Sequence, residues 1–237
     1  MAPGVRNLLH VTALDELGTG DISRRHRTFV AVPLGSTEQH GPHLPLGTDT
    51  TVATALAEAL ARARHDVVVA PAIAISASGE HQGFAGTLSI GTDALVSVIV
   101  ELCRSADWAD GVILVNGHGG NADAIARARS VLMHERRHVL IWWPTAPTDD
   151  RVDAHAGWLE TSVMLHLAPS SVRMANAEPG CTAPIDDVID DLRAGGVRAV
   201  SESGVLGNPV DARAEDGARI VATWCEDLIA RFDSWAQ

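Results

Sequence analysis

The chain has 237 residues, 46% of them hydrophobic, and a formal net charge of −12. That length suits one sizeable domain with a proper core, and the apolar content excludes wholesale disorder. The negative charge and scattered basic residues argue against nucleic acid or an anionic membrane as a partner, because both need clustered Lys and Arg.

Predicted strands and helices alternate along the chain. Thr28 to Gly35, TFVAVPLG, is a short apolar run closed by glycine and reads as a buried strand. Asp49 to Arg64 places Val52, Leu56 and Leu60 on one helical face. A second strand is expected from Asp66 to Ile75. A helix follows from Thr92, with Thr92 or Asp93 able to cap it. Gly111 to Gly117 reads as a third strand, Asn121 to Glu135 as a helix, His138 to Trp143 as a fourth strand, and His155 to Ala168 as another helix.

From Pro169 to Gly217 prolines, glycines and acidic residues dominate, which reads as an irregular excursion that caps a site or builds a subunit contact. A last helix, near Ala214 to Phe232, closes the chain. The rhythm predicts one α/β domain over 1–237, with three layers, α/β/α, around a mostly parallel sheet.

Cys103, Cys181 and Cys225 form no CxxC pair and leave one cysteine odd, so a disulfide framework is not expected. The N-terminus shows no basic-then-apolar leader, and no apolar stretch reaches the ~20 residues of a membrane helix. A soluble, cytoplasmic protein is expected.

Ligands of open α/β sheets bind at the carboxyl ends of the strands. The loop after the first strand is GSTEQHGPHLPLGTDT, Gly35 to Thr50. NGHGGN, Asn116 to Asn121, follows the third strand, and DAHAGWLE, Asp153 to Glu160, follows the fourth. Glu38, His40, Asp49, His118, His155 and Glu160 can therefore meet at one edge. Three carboxylates and three imidazoles are an inventory for two divalent cations with one bridging carboxylate.

Simpler readings stand beside this one. Asp49 can cap the following helix, and His118 can be only part of a glycine turn. His155 and Glu160 are about 140° apart round a helix, so their spacing does not bring them together. Glu80, His43 and His81 read as supporting or surface groups. Gly117 to Ala122 also matches a dinucleotide-binding GxGxxA, but on the third βα unit rather than the first. A serine hydrolase lacks its GxSxG elbow.

Taken together, PLGSTEQHGPHLPLGTDT, VNGHGGN and HAGWLETSV resemble the creatininase family. The resemblance implies that Glu38, His40, Asp49 and His118 bind two metal ions, with Asp49 bridging. The creatinine enzyme carries a carboxylate at the position of Gly120, so Glu160 is expected to supply the missing ligand. His155 and Glu160 are the expected catalytic groups, His155 protonating a leaving amine or stabilising an oxyanion. Mixed oxygen and nitrogen ligands suit Zn²⁺, Fe²⁺ or Mn²⁺.

Ser76 to Gly91 and Gly204 to Arg219 resemble a peptidase branch of the family. That implies a ribosomally made precursor peptide as substrate, from which a modified C-terminal Val-Tyr-derived dipeptide is released, and a homo-oligomer. An amidohydrolase or deformylase acting on a small cyclic or formylated amide is the alternative. A metal-stabilised peptide-binding module is the non-enzyme reading.

Overall fold

The computed structural model describes residues 11–145 and 153–237. Its centre is a sheet of β1 (Phe29–Leu34), β2 (Val67–Val69), β3 (Gly111–Asn116) and β4 (Val139–Trp142), in the order β2-β1-β3-β4 with every pair parallel. Every residue of β1 and β3 is buried. Unbroken apolar strands of this kind are stable only when both faces of a sheet are covered.

Successive side chains of β1 enter opposite layers, as the strand repeat of two requires. Phe29 and Ala31 pack with α2 (Thr48–Ala63), α5 (Trp158–Leu167) and α8 (Ala214–Trp235) through Leu56, Leu60, Met164, Trp224 and Leu228. Val30, Val32 and Leu34 pack with α3 (Thr92–Ser105) and α4 (Ala122–His134) through Leu95, Ile99, Ala128 and Leu132. Fully burying one such leucine or isoleucine contributes about 1.5–3 kcal/mol. The three layers therefore follow from the alternation of β1 and β3.

Connectivity fixes where the site falls. From β1 the chain moves outward to β2 on one side, whereas from β3 it moves outward to β4 on the other. The loops after β1 and β3 thus leave the sheet side by side and diverge, which opens a crevice at the strand ends. Leu34 pairs with Asn116, so Gly35 and Gly117 start these two loops at the same level.

Four expectations need correction. The second strand is only Val67–Val69; after it the Ala70 N–H still donates to the Ala31 carbonyl, and an isolated bridge joins Ile73 to Leu34. Neither Thr92 nor Asp93 caps α3; the cap position is Gly91, at φ 78°, without a side-chain cap bond. Asp49 is not the cap of α2 but lies within its first turn, after Gly47. The stretch from Pro169 to Gly217 is not wholly irregular. It holds α6 (Ile185–Gly195) and α7 (Val197–Val200), preceded by a short α1 (Thr19–Ser23) near the start of the described chain. Asp186, Asp187, Asp190 and Asp191 of α6 face solvent. Those acids hid an apolar stripe of Ile185, Ile189 and Leu192 at helical spacing.

Candidate metal centre

Asp49 is 3% exposed, and its carboxylate is shared among three neighbours. Ser36 Oγ donates to Oδ2 at 2.7 Å, His40 Nε2 lies 3.0 Å from Oδ1, and His118 Nδ1 lies 3.1 Å from Oδ2. The two carboxylate oxygens therefore face two different imidazoles. The position in the first turn of α2 also favours an anion, because the helix N-terminus carries partial positive charge.

The ligand atoms form two groups that share this residue, Glu38 with Asp49 and His118, and His40 with Asp49 and Glu160. Glu38 Oε2 lies 3.2 Å from His118 Nε2, and Glu160 Oε2 lies 3.8 Å from His40 Nε2. Two atoms that each sit about 2.1 Å from one ion can be at most about 4.2 Å apart, so these separations fit shared cations.

Glu38 is fully buried, and neither of its oxygens has a hydrogen bond of standard geometry. An uncompensated buried carboxylate is costly, and a cation would remove the cost. Protonation energetics agree. Burial pushes the Glu38 carboxyl up to about 7 and opposes the pull of His118. Burial raises Glu160 to about 7 as well, although 24% of its side chain opens to the cavity. Burial opposes charge on His40, but Asp49 beside it outweighs this and carries the imidazole to about 10. His118 reaches about 9 for the same reason. Asp49 is held well below the usual carboxylate range by His40, against the effect of burial. Without a cation, protons on the imidazoles balance the carboxylates. A divalent ion would take their place.

All six residues picked out by the sequence meet here. His155 does so because it precedes α5 rather than lying on it, so helical spacing never applied. Ala156, at φ 52°, turns the chain between them. Its N–H donates to Glu160 Oε2 at 2.6 Å, which bends the glutamate back toward His40. His155 Nε2 donates to the Gln39 carbonyl at 2.8 Å. That fixes the proton on Nε2 and turns Nδ1 toward the centre, 3.9 Å from Glu38 Oε1. Burial lowers the His155 pKa well below the usual imidazole value, so the ring is neutral.

Sequence reading underrated three residues. His81 is 3% exposed, and its Nε2 lies 3.3 Å from Glu38 Oε1. Glu80 Oε1 lies 3.4 Å from His118 Nε2. Gln39 joins the parts, since its amide nitrogen donates to His81 Nδ1 at 2.8 Å and to the Gly204 carbonyl at 3.2 Å. The signals for His81 were its adjacency to Glu80 and its place in the Ser76 to Gly91 stretch that resembles the peptidase branch. His43 is a supporting group as expected: it is buried, with Nε2 2.8 Å from Thr161 Oγ1. Asn116 and Asn121 hold the third loop to Gly35 and Ala77. A side chain at Gly117 would put Cβ 2.6 Å from the Asp49 carbonyl, so only glycine allows α2 to come this close.

The centre floors a cavity of about 1000 Å³ whose opposite wall is the Ile185, Ile189 and Leu192 stripe of α6. Another hollow of about 780 Å³, lined by Trp158, Asp211, Arg213 and Asp216 among others, contains none of these ligands. Trp142 is core, whereas Trp143 is 43% exposed.

Replacing Glu160 by glutamine keeps its size and its bond to Ala156 while removing the charge. The expected result is a folded protein that holds its first cation and loses much of the second, read by elemental analysis after dialysis. Full occupancy of both positions would assign Glu160 to proton transfer or substrate contact instead.

The sequence profile described as creatinine amidohydrolase matches residues 15–232. The mycofactocin precursor peptide peptidase of Mycobacterium tuberculosis H37Rv is 48% identical over 238 residues, covering 95% of this chain and 93% of the relative. Its namesake from Mycolicibacterium smegmatis is 47% identical over 234 residues, covering 95% and 94%. A crystal structure of creatinine amidohydrolase overlays with a TM-score of 0.79 at 21% identity, covering 94% of this chain and 97% of that one. A manganese form of creatininase does so with a TM-score of 0.76 at 21% identity, covering 95% and 98%.

Proposed function

The chain belongs to the creatininase family, and on that premise we propose that it is a metal-dependent peptidase acting on the mycofactocin precursor peptide. The bond cut is the one preceding the modified C-terminal Val-Tyr-derived dipeptide. The observation that carries the chemistry is the pair of ligand groups sharing Asp49 on the floor of a large cavity. Near-half identity to relatives of that name, over most of both chains, supports the substrate.

Glu38, Asp49 and His118 would hold one divalent cation, and His40, Asp49 and Glu160 the other. Zn²⁺, Fe²⁺ and Mn²⁺ all suit such oxygen and nitrogen donors. Such cations supply Lewis-acid polarisation of a carbonyl and acidify a water toward neutrality. The protein's own groups do the rest. His155 Nδ1, free of hydrogen bonds to the backbone, is placed to accept a proton and return it to the leaving amine. Glu160 has a raised pKa from burial and is suited to hold a proton when it is not a ligand. The α6 stripe offers apolar wall to side chains next to the scissile bond.

A homo-oligomer in the cytoplasm completes the reading. Leu46, Ile75, Leu88 and Ile90, each 39% exposed or more, are surface apolar groups that an assembly would cover. A 25.0 kDa monomer by light scattering would overturn that part. Three free cysteines suit a reducing compartment. Among the described residues, no helix is long and apolar enough to cross a membrane.

The test is mass spectrometry of the modified and unmodified precursor after incubation with metal-loaded protein. Release of the C-terminal dipeptide unit is expected, abolished by chelator and restored by the cation. Turnover of creatinine or a formamide with the peptide left intact would replace this reading by the small-amide one. Tight, metal-dependent peptide binding without cleavage would make the protein a binding module.

A further inference from the structure

We infer that Glu80 is a further cation ligand of this centre, delivered by the Gly79–His81 turn into space that Gly120 leaves open. This rests on the cation reading above. Three observations converge. Glu38, Glu80 and His81 form a third group whose ligand atoms lie within 4.8 Å of one another. Both oxygens of Glu38 are buried without a standard hydrogen bond, although His81 and His118 lie 3.3 and 3.2 Å away, so a fully buried carboxylate is aimed into this group without a well-formed partner. The third is steric. A Cβ at position 120 would stand 1.9 Å from Glu80 Oε1 and 2.4 Å from His118 Nε2.

No side chain at position 120 can coexist with the Glu80 carboxylate where it stands. Gly120 has no positive φ and needs no special backbone freedom, so the vacancy beside His118 is what its lack of a side chain provides. Glu80 reaches that vacancy from a different loop and comes to 3.4 Å from His118 Nε2, while Glu38 Oε2 is 3.2 Å from the same nitrogen. That nitrogen also donates to the Ala77 carbonyl at 2.9 Å, so one imidazole N–H faces three oxygens and a divalent ion between the carboxylates would relieve the crowding of negative charge. The Glu80 side chain is 36% exposed, so it can move onto an ion at little cost in packing. Gly196 closes behind the turn: a Cβ there would stand 2.6 Å from the Glu80 carbonyl. The chain just after α6 therefore sets how far Glu80 advances.

The experiment compares the parent, Glu80→Gln and Gly120→Ala after loading with zinc and, separately, with cobalt(II). Elemental analysis and competition with a chromophoric chelator give stoichiometry and affinity. Visible absorption of the cobalt protein reports coordination. In both variants one position is expected to weaken by at least about tenfold and the cobalt bands to change intensity, the other position being retained. Glu80→Gln keeps the fold, since its side chain is at the cavity surface, so the test stands even if Gly120→Ala is unstable. A parent with two ions and a Glu80→Gln protein with parental affinity and cobalt spectrum would overturn the inference. A parent that binds no ion would instead sink the cation reading on which it rests.

Discussion

Asp49→Ala is expected to come through reconstitution with no bound cation, against two per chain for the parent. The geometry gives the reason. Oδ1 faces His40 and Oδ2 faces His118, so one side chain belongs to both ligand groups. Removing it leaves each group with two ligands, and it takes from His40 and His118 the carboxylate that favours their charge against burial. Lewis-acid assistance is worth several kcal/mol of barrier, and each 1.36 kcal/mol is a factor of ten. Hydrolysis should fall by at least about 10³. Circular dichroism should show that the fold survives, because the Asp49 carboxylate meets Ser36, His40 and His118 and is not the cap of α2. A variant retaining one ion would show that Asp49 serves a single cation, and the shared-ligand arrangement would be wrong.

For His155→Ala the expected pattern is the converse, with both cations kept and kcat lowered by about 10²–10⁴, the range for a lost general acid-base group. Nε2 is occupied by the Gln39 carbonyl, which leaves Nδ1 as the working nitrogen. KM should change little if the ring handles protons rather than holding substrate. Because His155 also lies within reach of Glu38 and His40, a ligand role is the competing outcome. Elemental analysis decides, since loss of an ion with the ring would make it a ligand. An unchanged kcat would remove it from the chemistry.

Most of the architecture was legible because β1 and β3 are uninterrupted apolar runs and the helices between them are amphipathic. The six residues at the site were legible because topology sends strand-end loops to one edge, which reduces a three-dimensional question to chain order. Three features escaped for physical reasons. Glu80 and His81 lie after a strand that ends at Val69, in a stretch whose glycines and serines carry no periodicity. Helix α6 was masked because four exposed aspartates dominate its composition while the three residues that matter occupy one narrow face. The means by which His155 and Glu160 meet, a left-handed turn at Ala156, is a conformation an alanine does not announce.

The ligand groups draw on residues from Glu38 to Glu160, and Gln39 is tied to Gly204, 165 positions away. An unfolded chain keeps only the local donors of Glu38 to Asp49 together and lacks the His118 and Glu160 that complete each group, so the folded form binds the ion more tightly. Whatever binds only the folded form stabilises it by RT ln(1 + [L]/Kd), about 4.1 kcal/mol at a thousandfold excess of ligand. That is a sizeable share of the 5–15 kcal/mol typical of a whole domain. The supply of free cation thus governs how much folded chain exists as well as how fast it turns over. Starvation for metal would first be felt as a shrinking pool of protein, cleared by proteases that act on the unfolded form.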